Sequence, residues 1–511
     1  MKRMASMIVC ALIALPWRAT AGGSTVGDWH LLEPQRDAAS LAREQRSPDG
    51  RMVPLARTLA DATLTERLRA VLATGAPAIL PALDRAARKA SRRAIDCPAW
   101  RSGIAIYLSD EDGGFARKDL FVGVPDQPAL CADYFVDLTV DDASLANGEW
   151  EEVLTHEFGH VFLRRLLGPV PPTPTRNPHS VFAITDPVTA FDEGFGISLQ
   201  PLAARLTATP GFRQRAEGTA AASPADFWLS RRETRLRESA VPHGDFAFEA
   251  LPPAADMHGI ERWRAAETAL PDDRCHLKSG DAMMASEGVA ATFLYRLLDG
   301  GRDRAALAGR YEQLATVLAH LGRWPQDTPP LIALVRAWGE RYPQERQQVT
   351  RLFLETTYGA TSSAAVRRQA QSLSCLGATG SLQAFLPALK AYRATMDRLV
   401  DAVTAGRAAL DGALHRPLWL ADPSIRIPAQ LWAKRSTLPL VVDLNTADES
   451  ALEWLFAGNR ALAQAIVAER RKKGFDSLDD AIARVDMSAA QRSRLRQLAA
   501  GYPSLPPFVR E

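Results

Sequence analysis

The period of the apolar positions changes along the chain, and each change marks a different element. Residues 22 to about 95 are rich in Ala and Arg and read as helix-prone. Residues 103–109, 120–124 and 134–138 are short runs of β-branched and aromatic side chains between turn formers, a pattern that predicts three strands of a small sheet. From Asn147 to about residue 415 the spacing is mostly helical, interrupted by a Pro-rich stretch over 169–178. Residues 416–440 carry several prolines and read as an irregular connector. After that, Leu452, Leu455, Leu462, Ile466 and Val467 suit two short packed helices, and Ser477 caps a third. The expected fold is α+β and mostly helical. Its expected segments are 1–21, 22–95, 96–360, 361–440 and 441–511.

One predicted helix carries chemistry. Asn147 can cap it, and Glu149, Glu151 and Glu152 favour its start electrostatically. Trp150, Val153, Leu154, Phe158, Val161 and Phe162 form an apolar face, Arg164 and Arg165 suit its negative end, and Gly168 stops it. Inside lies His156-Glu157-Phe158-Gly159-His160. Histidines four apart project from one face, so both imidazoles can reach one zinc ion at ~2.0–2.1 Å. Glu157 is then placed to take a proton from a water held there.

A catalytic zinc needs a third protein ligand and one open position. The chain offers Glu193, 33 residues after His160. It lies in a second predicted helix that opens with an Asp186 cap and Pro187. Phe191, Phe195, Leu199 and Leu202 line one face of that helix. Gly194 and Gly196 each cost a helix about 1 kcal/mol relative to Ala, which implies close packing, with the histidine helix as the expected neighbour.

Composition narrows the class. With 47% hydrophobic and 23% charged residues, the 511-residue chain is ordinary globular protein, and a formal charge of +2 gives no global field toward nucleic acid. Lys2 and Arg3 precede an apolar run over 6–17 and then Ala19-Thr20-Ala21, the layout of a secretory signal. Cleavage after Ala21 removes three basic residues and no acid, leaving a net charge of −1. No later segment is long and apolar enough to anchor the chain, so a periplasmic or secreted protein with no integral membrane span is expected. Cys97, Cys131, Cys275 and Cys375 then remain, either as two disulfides in one of three connectivities or as four buried thiols.

The sequence His156-Glu157-Phe158-Gly159-His160 followed by Asp192-Glu193-Gly194-Phe195-Gly196 resembles the gluzincins, the thermolysin-like and peptidase-MA-like zinc metallopeptidases. The resemblance covers about residues 100 to 300. It implies a zincin-like domain with His156, His160 and Glu193 as ligands to Zn2+, Glu157 as general base, and a peptide or protein as substrate. It also implies a sheet edge along which an extended peptide aligns. Two departures stand out. No G-x-M-E-N motif occurs, which disfavours a typical aminopeptidase. The position where relatives often carry a catalytic Tyr holds Met283, Met284 and Ala285, so the oxyanion-stabilising group is unassigned, with Tyr295, His243, His258 and His276 as candidates by type.

Residues 441–511 resemble the competence-type helix-hairpin-helix domain, most clearly at Val442-Asp443-Leu444-Asn445-Thr446-Ala447 and at Phe475-Asp476-Ser477-Leu478-Asp479-Asp480. Thr446 and Glu449 have capping-box spacing there. The resemblance implies that hairpin backbone amides hold a DNA phosphate. The hairpin here reads Phe456-Ala457-Gly458-Asn459, without the family's two glycines, and the module has ten basic and ten acidic residues. Both features argue against DNA. The expected function is an exported zinc metallopeptidase. The alternative is a catalytically inactive zincin-fold scaffold that acts through the helix-hairpin-helix module on DNA or protein.

Overall fold

A computed structural model describes residues 28–506 and 508, apart from 92, 94–95, 112, 124–127, 176–179, 217–243, 251–252, 268–272, 381 and 429–436. Residues 1–21, with the layout expected of a secretory signal, and His243 lie outside the described residues.

The fold is α+β. Six strands form its sheet: β1 (Trp29–Pro34), β2 (Glu44–Arg46), β3 (Met52–Thr58), β4 (Ile104–Leu108), β5 (Gly114–Val122) and β6 (Ala129–Leu138). Their order is β1-β4-β6-β5-β3-β2, and an additional β1–β3 pairing closes the first five into a small barrel. Strand β4 matches the expected run 103–109, whereas β5 and β6 begin six and five residues before the expected runs 120–124 and 134–138. The expectation of a helical 22–95 is corrected: three of the strands lie there, with α1 (Ala62–Leu72) and α2 (Leu80–Ala90) after them. The Ala- and Arg-rich helices dominate the composition of that region and hide short strands such as β1, which is wholly or partly buried at every position.

The barrel has two faces with different jobs. Leu32, Tyr107, Leu120 and Phe135 fill its interior together with Cys97 and Cys131, which are joined in a disulfide. Ile104, Ile106, Val136 and Leu138 point outward into the main core, against the helices. Cys275 and Cys375 form the second disulfide, so the two-bridge alternative is the one observed.

After α3 (Asp142–Asn147) come α4 (Glu149–Leu167), α5 (Pro187–Leu206) and α6 (Pro210–Ala216). Helix α4 lies between the barrel and the remaining helices, so it is buried nearly all round rather than along a single face. Its charged side chains are consequently paired in the interior. Arg165 bonds Asp133 and Asp84, which also hold Arg88.

The expected connector 416–440 is also corrected. It contains most of a hairpin, β9 (Trp419–Pro428) paired with β10 (Thr437–Asp443). Prolines are tolerated because each strand of a two-stranded ribbon keeps one free edge, and Pro439 sits at a register shift. Beyond it, helices Glu449–Leu455, Arg460–Lys472, Leu478–Arg484 and Ala489–Gly501 enclose a separate core around Leu452, Leu455, Leu462 and Ile466. Ser477 caps the third of them as expected. The first is capped by Asp448, whose side chain accepts from the Ala451 amide, instead of by Thr446.

Candidate metal centre

Helix α4 begins at Gly148, whose φ of +78° needs the freedom of glycine, while the Asn147 side chain accepts from the Glu149 amide at 2.7 Å. Helix α5 begins with Asp186 accepting from the Val188 and Thr189 amides, and Pro187 fills the first helical position. The two helices touch where neither has a side chain. A Cβ on Gly159 would sit 3.1 Å from the Gly196 Cα, and one on Gly196 would sit 2.8 Å from the His156 ring. The expectation for Gly196 holds. Gly194 faces elsewhere, against Ala290 and the Glu287 carbonyl of the Glu287–Leu298 helix.

This close crossing brings three donor atoms together. His156 Nε2 and His160 Nε2 are 3.2 Å apart, and Glu193 Oε2 lies 3.5 Å from the first and 3.6 Å from the second. Four ligands arranged tetrahedrally at ~2.0–2.1 Å from a zinc ion are about 3.3 Å from one another. The cluster therefore fits a small divalent ion, with one coordination position left for a non-protein ligand. Two imidazole nitrogens and one carboxylate oxygen form a donor set that suits several small divalent metals, zinc among them.

Asp192 supplies what the sequence reading missed. Its Oδ1 is 3.1 Å from His160 Nδ1, and its Oδ2 is 3.5 Å from Arg164 Nη2. The carboxylate holds the ring so that Nε2 points at the cluster. The signal was present as an acid directly before Glu193, but only the helix crossing shows which acid faces which nitrogen. The electrostatics suit a cation. Burial opposes charge on His160, yet the Asp192 and Glu193 carboxylates overcome it and raise the imidazole to about 10. Burial likewise opposes charge on Asp192, whose carboxyl is nevertheless held below its ordinary value by His160 and Arg164.

Glu157 borders this cluster. Its Oε1 is 4.0 Å from His156 Nε2, and its Cγ packs where a Cβ on Gly114 would stand, at 3.0 Å. The first residue of β5 thus lies against the Glu157 side chain. Along Gly114–Lys118, β5 is paired with β6 on one side, whereas β3 reaches it only at Phe121 and Val122.

Burial pushes the Tyr295 phenol up to about 12, and its hydroxyl engages Asp299. His258 is exposed, and His276 lines a cavity of about 310 Å³ that also borders the C-terminal helices. Met283 and Met284 are buried core residues.

In the C-terminal module the basic run is committed internally. Arg470 donates to the Leu444 carbonyl, Arg471 pairs with Glu249, Lys472 with Glu469 and Lys473 with Asp476. The hairpin keeps a left-handed turn at Ala457 and Gly458, with φ of +56° and +85°. Beside it, Arg460 donates to the carbonyls of Ala255 and Met257, and Trp454 packs on Trp263, which is fully buried in the module's core. The hairpin region is therefore occupied by the chain's own residues 255–263. No family model, curated protein or solved structure matches this chain.

Proposed function

We propose that the protein is an exported zinc-dependent metallopeptidase of gluzincin type. The observation that carries this reading is the convergence of His156 Nε2, His160 Nε2 and Glu193 Oε2, with the Glu157 carboxylate alongside. His156, His160 and Glu193 would hold the ion. Bound Zn2+ would supply Lewis-acid polarisation of the scissile carbonyl and would acidify a water.

The chain's own residues supply the rest. Glu157 accepts the proton of the attacking water and passes it to the leaving amine, a role that needs a carboxylate within hydrogen-bond reach of both. Asp192 fixes the His160 ring. Over Gly114–Lys118, β5 has no second strand partner among the described residues, and although Arg164 donates to the Ala116 carbonyl, the remaining edge supports a peptide or protein substrate.

The scaffold reading draws on a specific observation as well. The Tyr295 hydroxyl is engaged by Asp299 and His258 is exposed, and the cluster is nearly closed, with Glu193 and His160 side chains only 6% and 5% exposed. DNA contact through 441–511 is the least supported alternative, because the basic run and Arg460 are already engaged.

Metal analysis of the purified chain tests the site. One zinc per chain is expected for wild type, with loss of stoichiometric zinc in His156→Ala and in His160→Ala. A chain that binds no divalent ion at micromolar concentration would remove the proposal's basis.

A further inference from the structure

Helices Ala364–Thr379 and Leu382–Thr404 form an antiparallel hairpin whose outer part is unusual for this protein. Between Ala370 and Met396 no described residue is buried. Yet this stretch contains Leu373, Leu376, Leu382, Phe385, Leu386 and Leu389. Leu382 is 70% exposed and Leu386 54%, the first being the most exposed large hydrophobic among the described residues. The first arm is tied to β8 (Asp273–Leu277), the partner of β7 (Phe248–Glu249), by the Cys275–Cys375 disulfide and by Gln371, which accepts from the Leu277 amide. The second arm is buried in the main core at Met396 and Val400, and its Tyr392, Leu399 and Val403 pack against that core.

The charge pattern is equally distinct. Residues 369–389 include no charged side chain over 21 positions, and residues 356–396 include no acid over 41. The chain as a whole has 59 acids in 511 residues, so several would be expected in that span. Its basic residues are Arg367, Arg368, Lys390 and Arg393. Arg367 is spent on the carbonyls of Leu277 and Arg471. Arg368, Lys390 and Arg393 are exposed and have no ion pair among the described residues, whereas the basic run 470–473 is fully engaged.

Position along the helix orders these features. Leu382, Leu386, Lys390 and Arg393 are spaced four, four and three apart, which places them on one stripe. That stripe runs from apolar at the hairpin turn to basic nearer the body of the protein. An apolar end followed by uncompensated positive charge matches the boundary between lipid headgroups and acyl chains. No helix among the described residues is long and apolar enough to cross a membrane, so any such contact is interfacial.

We propose that this hairpin is a membrane-docking element. It inserts Leu382 and Leu386 into the headgroup–acyl boundary of an anionic phospholipid bilayer, with Arg368, Lys390 and Arg393 against the headgroups. A protein partner would instead need a shaped apolar pocket rimmed with acids. A second copy of this chain supplies no acid from the same surface, since 356–396 has none. The inference does not depend on the metal site.

The test is flotation of the chain from Gly22 onward with vesicles of phosphatidylglycerol and phosphatidylcholine, or of phosphatidylcholine alone, at low and high salt. Wild type should bind the anionic vesicles at least tenfold more tightly than the neutral ones, and less tightly at high salt. Leu382→Glu with Leu386→Glu should abolish binding without changing the melting temperature, because both side chains are exposed. Lys390→Ala with Arg393→Ala should weaken anionic binding about 25-fold, from roughly fivefold per basic residue. Wild type and variants alike begin at Gly22, so the apolar run over 6–17 contributes no vesicle binding of its own. Equal binding by wild type and both double variants would overturn the proposal. So would a wild type that ignores anionic vesicles and sediments as a dimer that the two Leu→Glu changes dissociate.

Discussion

The Asp192 carboxylate lies 3.1 Å from Nδ1 of His160, on the side of the ring opposite the candidate metal position. Adjacent acids on one helix thus do different work. Glu193 faces the two Nε2 atoms, while Asp192 turns the ring that carries one of them. Asp192→Asn should keep stoichiometric zinc but weaken its affinity tenfold to a hundredfold, as measured by competition with a chelator. Glu193→Ala should lose stoichiometric zinc. The opposite outcome, with Asp192→Asn empty and Glu193→Ala full, would exchange the two roles.

Gly196 tests the helix crossing without touching a donor atom. An added methyl would stand 2.8 Å from the His156 ring, so Gly196→Ala should displace that imidazole and lower zinc affinity at least tenfold. Gly309 lies mid-helix with nothing within 4 Å of an added Cβ. Gly309→Ala should leave zinc binding alone and raise stability by about 0.5–1 kcal/mol. Calorimetric titration and thermal melts of the two variants separate crowding at the site from ordinary helix propensity.

Much of this site is legible in sequence because it is local. Helical spacing places His156 and His160 together, and the Asp186 cap and Pro187 open the second helix where expected. What escapes is long-range. Barrel closure depends on β1 meeting both β3 and β4, pairings that no local pattern encodes. The ribbon formed by β9 and β10 was masked by Pro423, Pro428 and Pro439, residues that argue against a central strand but not against a two-stranded one. The expected amphipathic face of α4 became burial on all sides because a barrel covers it, which a single-helix pattern cannot reveal.

Asp137, inside the barrel end, makes stability depend on pH. Burial raises its carboxyl to about 6, against the lowering effects of a Ser109 hydrogen bond and of Arg117, whose Nε lies 2.8 Å away. The folded state therefore holds a proton that the unfolded state releases near pH 4. Stability from this group is full below pH 4 and declines as pH rises to about 6, by on the order of 2 kcal/mol. Asp137→Asn should flatten that part of the urea-denaturation profile between pH 4 and 7. An unchanged slope in the variant would assign the decline to other groups.

Export carries its own check. The N-terminus of the chain recovered from the producing cell should begin at Gly22, read by mass spectrometry. A recovered chain still starting at Met1 would contradict this route.

The role of Glu157 decides between enzyme and scaffold. Glu157→Gln keeps the shape of the side chain but cannot accept a proton near neutral pH, and general-base catalysis is typically worth 10²–10⁴-fold. The decisive measurement is turnover of a mixed fluorogenic peptide library by wild type and Glu157→Gln at matched zinc content. Hydrolysis by wild type, with at least a hundredfold loss in the variant, is the expected result. A zinc-loaded wild type inactive on every peptide, or a variant as active as wild type, would contradict it.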